Sequence, residues 1–283
     1  MPNEANVRSP LTLIGLGRSG TSLFQAAFAN HSEFQICGET GGIIFSVWEG
    51  AKASFMPLPQ RYWTLFESDQ DEKCAYYVRE VLNALCPSDA KHWFHKPAGL
   101  PVKHLSFKRI PGVRSALTKF PVEWYWNVLG KLFSDGRFLT IVRNPFDIMI
   151  SRKEHTRWSF NETWKDIIAV YEIYEYGRNR LHHVIRFDDL IKDFEATIRK
   201  VCEGAGVAFE AQMLRALETN QAGVTKRGPV LTHRDAWSAL DGFKVDRREL
   251  EVIARQWEKW GWQLDVPEQI TIGSRPIAQK PAA

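Results

Sequence analysis

Residues 11–24 read LTLIGLGRSGTSLF, and no other stretch of the 283-residue chain limits the fold as strongly. Leu11 to Leu16 form a short, wholly apolar run, the pattern of a strand buried on both faces. A glycine-rich turn follows. From Gly20 to Asn30 the apolar residues recur at helical spacing, with Leu23, Phe24, Ala27 and Phe28 on one face. Strand, tight turn and helix in that order make the first half of a βαβ unit. Such a turn aims backbone N–H groups and a helix N-terminus at one anionic point. The bland alternative is a tight turn with no ligand, and the hydroxyls of Ser19, Thr21 and Ser22 weigh against it.

Two phosphate-binding templates fit this turn. Gly15 and Gly20, with Thr21 and Ser22, approach the phosphate loop of nucleotide kinases, but no lysine follows Gly20. A kinase also needs a strand ending in a metal-holding aspartate, and "FLTIVR" ends in Arg143, which would repel Mg²⁺. Gly15, Gly17 and Gly20 satisfy the G-x-G-x-x-G of a dinucleotide site, with Glu39 near the spacing of a ribose-binding acid. That reading, an NAD(P)-dependent oxidoreductase, gives no role to Arg18, Ser19, Thr21 and Ser22 together. Nor does it need a second basic element.

"FLTIVRNPFDIMIS" supplies that element. Arg143 stands at the carboxyl end of a strand rich in β-branched residues, where open α/β sheets bind ligands. Ser151 lies two turns into the helix that follows, with Pro145 in its first turn and Asn144 as its cap. A fixed guanidinium and a hydroxyl at a sheet edge make a second phosphate site. The plain alternative is an arginine paired with Asp147 and a packed serine.

The rest of the chain alternates in the same way. "EFQICGE" reads as a second strand and "RSALTKFP" as a strand ending near Lys119. "VEWYWNVLGKLF" reads as a helix, "HHVIRFDDL" as a strand, residues 190–203 as one helix and 247–260 as a last one. Residues 41–114 read as an irregular insertion or lid and the acceptor region, with one amphipathic helix at 71–85. The expected fold is α/β: a P-loop-like single domain over 1–270 with a central parallel sheet of about five strands flanked by helices. A Pro/Ala/Lys tail over 271–283 is expected to be disordered.

A net charge of +4, from 37 basic and 33 acidic residues, is too mild for a nucleic-acid coat and suits one small polyanion. Four cysteines (Cys37, Cys74, Cys86, Cys202) show no C-x-x-C spacing, so reduced thiols and a cytoplasmic location are expected. No apolar run reaches signal-peptide or membrane-spanning length. In "HWFH", His92 and His95 suggest a metal pair or an alternative base, but no third ligand is evident and no metal is expected. Trp48, Trp93, Trp124 and Trp126 can stack on an acceptor, although core packing is the more ordinary use of such rings. Oligomeric state stays open.

"GRSGTS" followed by "FLTIVRNPFDIMIS" resembles the 5′-phosphosulfate loop and 3′-phosphate element of sulfotransferases. "GET" (38–40), "TKFP" (118–121), "IRFDDLIKDFEATI" and "DAWSALDGFKVDRRELEVIARQWEKWGW" are similar to segments of the tyrosylprotein and bacterial branch. The likeness covers residues 11–40 and 115–262. It implies transfer of a sulfuryl group from 3′-phosphoadenosine 5′-phosphosulfate to an acceptor hydroxyl on a glycan or small metabolite, without a metal. By this resemblance Gly17, Arg18, Ser19, Gly20, Thr21 and Ser22 hold the 5′-phosphosulfate, and Arg143 and Ser151 hold the 3′-phosphate. The family's catalytic glutamate falls on Glu39 and its lysine on Lys119, with Arg18 sharing the charge-neutralising role. Arg227, in "KRG", sits where many members carry a basic loop against the donor. Gly41 departs from the arginine that the tyrosylprotein enzymes carry there, which argues against a peptide acceptor bound in the same way. A non-catalytic nucleotide-binding relative is a further alternative.

Overall fold

The computed structural model describes residues 10–55, 70–86, 90–96, 122–156, 158–218 and 233–273. Strand β1 (Pro10–Ile14) leads through the glycine turn into α1 (Thr21–Ala29) and β2 (Phe34–Gly38). Helices α2 (Gly41–Phe55) and α3 (Gln70–Leu85) follow, then β3 (His92–His95), α4 (Val122–Leu132), β4 (Arg137–Val142) and α5 (Pro145–Thr156). The chain continues through α6 (Phe160–Tyr176), β5 (Leu181–Arg186), α7 (Phe187–Lys192), α8 (Phe194–Ala205), β6 (Lys244–Asp246), α9 (Arg247–Lys259) and β7 (Thr271–Gly273).

Strands β1 to β5 form one parallel sheet in the order β2-β3-β1-β4-β5. From β1 the chain passes to the edge position for β2 and returns for β3 between the two, then crosses to the other side for β4 and β5. Loops leaving β1 and β4 therefore part at the carboxyl edge, the crevice where such sheets take ligands. The central strands β1 and β4 are covered on both faces, as apolar runs of this kind require. Leu11 and Leu13 of β1 join Leu139 and Ile141 of β4 in a core with Phe24, Phe28 and Ile198. Ile14 and Val142 face the opposite core, built on Trp48, Trp126, Phe146, Tyr171 and Trp257.

Three features differ from the sequence reading. Residues 41–114 contain two helices and an interior strand, because β3 pairs with both β1 and β2. The strand expected to end near Lys119 lies outside the described residues. The single helix expected over 190–203 is two helices, α7 and α8. Asp193 leaves helical geometry (φ −142°, ψ 81°), and its carboxylate accepts the Ala196 N–H to cap α8. Finally, residues 271–273, assigned to the tail, form β7 against β6. Helix α6 carries a capping box in which Ser159 and Glu162 each accept the other's backbone N–H.

Trp48, Trp93 and Trp126 are buried, and Trp124 packs partly buried against the same core. Trp126 stacks against Gly177 so closely that a side chain at Gly177 would overlap the indole. These rings fill volume. Among the described residues no helix is long and apolar enough to cross a membrane.

Candidate active site

The loop between β1 and α1 holds its shape through two forced positions. Gly20, the residue before α1, has φ +96°, and a Cβ there would meet the Phe187 ring at 2.6 Å. Only glycine fits. Arg18 has φ +76°, a left-handed conformation that costs a residue with a side chain about 1 kcal/mol. Ser19 Oγ donates to the Leu16 carbonyl at 2.7 Å and closes the turn from inside. Thr21 Oγ1, in the first turn of α1, is buried and makes no hydrogen bond among the described residues.

Arg18 is held from the neighbouring strand's side of the crevice. Its Nε donates to Ser151 Oγ at 3.1 Å, and its carbonyl accepts from Arg143 Nη1 at 2.9 Å. Arg143 leaves the end of β4, and Ser151 lies on α5, so the two sequence elements meet directly. Arg143 is only 3% exposed, with its guanidinium 4.3 Å from the Phe187 ring centre. Asp147 stands 4.0 Å from Arg143 Nε, too far for a hydrogen bond, and accepts instead from Trp237 Nε1 at 2.8 Å. Arg143 Nε and Nη2 are buried without a hydrogen-bond partner. Burial lowers the Arg143 pKa to about 10, with Asp147 opposing the shift and Arg18 adding to it. Burial also lowers the pKa of Arg18, against the pull of Glu154. Buried N–H groups of a cation with nothing to donate to fit an anion arriving from outside.

Beyond β2, Glu39 is exposed and pairs with Lys96 Nζ at 2.9 Å. The Lys96 side chain is 7% exposed against 66% for Glu39, so the lysine is the fixed member. Lys96 directly follows β3, and its backbone N–H bonds the Gly38 carbonyl where β2 bulges past His95. Sequence reading passed over Lys96. The two histidines break the apolar pattern of the strand before it, and its partner Glu39 is 57 positions away in the chain. Lys119 and Arg227 lie outside the described residues.

The two histidines of "HWFH" are strand residues, not a helical pair. His92 is half-buried beside Phe34. His95 is fully buried, stacked on Phe133 and within hydrogen-bond distance of Thr40 Oγ1 at 3.3 Å. Burial lowers the His95 pKa to about 3, so it stays neutral and is enclosed away from solvent. No group of three or more metal-ligating side chains occurs among the described residues.

The sequence model of the sulfotransferase family matches residues 10–211, which contain the loop, Glu39, Lys96, Arg143 and Ser151. The chain belongs to the sulfotransferase family. The sulfotransferase domain of a Synechococcus olefin synthase has a similar fold, with a TM-score of 0.55 at 15% identity over 94% of this chain and 98% of that one. A sulfotransferase from Mycobacterium avium superposes with a TM-score of 0.51 at 14% identity, over 92% and 79%. Over 115 residues the chain is 28% identical to branched-chain-amino-acid aminotransferase-like protein 2 of Arabidopsis thaliana. That match covers 40% of this chain and 18% of the Arabidopsis protein, so the chain spans less than a fifth of that relative's length.

Proposed function

We propose that this chain transfers the sulfuryl group of 3′-phosphoadenosine 5′-phosphosulfate to an acceptor hydroxyl, on a glycan or a small hydroxylated metabolite. The direct bonding of the two anion-binding elements, Arg18 Nε to Ser151 Oγ and Arg143 Nη1 to the Arg18 carbonyl, carries the reading. A nucleotide with phosphates at both ends of its ribose needs two basic sites that adjoin without merging. In this reading Gly17, Arg18, Ser19, Gly20, Thr21 and Ser22 take the 5′-phosphosulfate, with loop N–H groups, the α1 N-terminus and the unpartnered Thr21 hydroxyl as donors. Arg143 gives the 3′-phosphate its two open N–H groups. Ser151 Oγ, already accepting from Arg18, still has a proton to donate. Arg227 keeps its proposed place against the donor.

The donor supplies an activated sulfuryl group. Glu39 takes the acceptor proton as the acceptor oxygen bonds to sulfur, and adenosine 3′,5′-bisphosphate leaves. Lys96 orients the Glu39 carboxylate and, with Arg18, neutralises charge on the departing oxygen. Lys119 keeps the charge-neutralising part that the family resemblance gives it, and Lys96 is added to it. A sulfuryl group carries less charge than a phosphoryl group, so guanidinium, ammonium and backbone donors suffice for the transfer.

Fluorescence titration with adenosine 3′,5′-bisphosphate and with NADH tests the donor. A mass-spectrometric screen of hydroxyl acceptors with isotope-labelled donor tests the transfer. The expected result is bisphosphate binding and a gain of one sulfuryl group on one acceptor class. NADH binding with no bisphosphate binding overturns the donor assignment, and bisphosphate binding with no transfer leaves a nucleotide binder without chemistry.

A further inference from the structure

One buried cation beside the loop has no part in that scheme. Arg152, next to Ser151 on α5, is 5% exposed and donates through Nη1 to Asp166 Oδ2 at 2.7 Å; Asp166 comes from α6 and is itself buried. The guanidinium carbon lies 4.9 Å from the centre of the Trp158 ring. Its other terminal nitrogen, Nη2, faces the loop, 3.9 Å from where a Cβ of Gly17 would stand. Gly17 has no side chain to stand between that nitrogen and the turn that begins there. A buried Arg–Asp pair is costly to assemble and rarely justified by stability alone.

We propose that Arg152 supplies a third positive charge to the anion-binding loop from behind Gly17, with Asp166 as the counterion that lets the charge be buried. The inference rests on the donor reading above, which gives the loop its polyanionic ligand. It assigns Arg18, Arg143 and Arg152 to one electrostatic unit, in which Arg152 acts through its field at short range in a poorly solvated setting. The carboxylate partly cancels that field. Releasing Arg152 from Asp166 therefore strengthens anion binding even while it weakens the fold, and a purely structural pair cannot do this.

The test uses the full chain and four proteins: wild type, Arg152→Gln, Arg152→Lys and Asp166→Asn. Each is titrated with adenosine 3′,5′-bisphosphate and, separately, with inorganic pyrophosphate, across a series of salt concentrations, with thermal unfolding measured alongside. Arg152→Gln is expected to weaken both ligands at least about tenfold and to flatten the salt dependence, and Arg152→Lys to retain most of both. Asp166→Asn is expected to melt at lower temperature yet bind both ligands as tightly as wild type or tighter. Unchanged affinity in Arg152→Gln, or Asp166→Asn weakening as much as Arg152→Gln, overturns the proposal. If Asp166→Asn fails to fold, the comparison of Arg152→Gln with Arg152→Lys across the salt series decides. Pyrophosphate separates the two claims: wild type binding pyrophosphate but not the bisphosphate overturns the nucleotide reading, while the Arg152 effect is still read on the loop.

Discussion

Replacing Arg143 tests the joint between the two anion sites. Its Nη1 is committed to the Arg18 carbonyl, so Nε and Nη2 are the groups left for a ligand. Hydrogen bonds to a charged partner are worth roughly 1.5–3 kcal/mol each, and two of them give about 3 kcal/mol at the low end, on the order of a hundredfold in affinity. Arg143→Gln should therefore weaken adenosine 3′,5′-bisphosphate by about that factor in a calorimetric titration. Arg143→Lys keeps a positive charge beside the buried Asp147, but one ammonium cannot bond the Arg18 carbonyl and span a phosphate edge at once, so it should also lose about tenfold or more. Two controls make the number interpretable. Arg199, exposed and paired with Glu195 on α8, should tolerate Gln with no change in affinity. Adenosine 5′-monophosphate, lacking the 3′-phosphate, should bind wild type and Arg143→Gln within a few-fold of one another. Equal losses for both nucleotides would mean that Arg143 acts only by holding the Arg18 carbonyl, and the second-site assignment would be wrong.

Glu39→Gln should lower turnover by about 10²–10⁴ while leaving bisphosphate affinity intact, measured by steady-state rates and titration; full activity in that variant rules out Glu39 as base. Lys96→Met should also lower turnover by about tenfold or more, measured at a temperature where circular dichroism shows the variant folded; wild-type turnover in the folded variant rules out the role. Gly20→Ala combines a positive φ with a 2.6 Å contact on Phe187, and should cost roughly 2–4 kcal/mol in chemical denaturation. Stability should also fall in acid on account of His95. The unfolded chain takes up a proton on that ring near pH 6.5 and the folded one only near 3, so folding loses up to the order of 5 kcal/mol as pH drops through that window. His95→Phe should flatten this part of the stability profile, and an unchanged acid limb would refute the attribution.

The parts of the site that could be read from the chain are those whose partners are local. Arg18 lies within a glycine turn, and Arg143 and Ser151 are spaced along one strand and the helix it feeds, so strand and helix periodicity alone puts each at a sheet edge. What stayed hidden depends on neighbours remote in sequence. Strand β3 is four residues long, and its terminal histidines imitate a metal pair until β1 and β2 close on either side. Lys96 acquires meaning only through Glu39, 57 positions earlier. Helix α2 opens on Gly41-Gly42 and holds Gly50, which dilute a helical pattern that packing against α3 restores. Arg152 gives no signal in the sequence at all, because Asp166 and Gly17 reach it from two other elements.

The cations at this sheet edge differ in how closely their counterions approach, and that difference separates their roles. Arg152 and Lys96 hold carboxylates at 2.7 and 2.9 Å, whereas Arg143 keeps Asp147 at 4.0 Å. Trp237 binds Asp147 from the other side, its indole N–H donating to Oδ1 at 2.8 Å while Oδ2 faces Arg143. The carboxylate still favours the charged guanidinium, yet it leaves two N–H groups open. Without that restraint Asp147 could close on Arg143 as Asp166 closes on Arg152, and a ligand phosphate would have to displace it. The segment that carries Trp237 follows residue 227 closely in the chain, so the C-terminal region bears on the proposed 3′-phosphate site through a hydrogen bond to the counterion of Arg143.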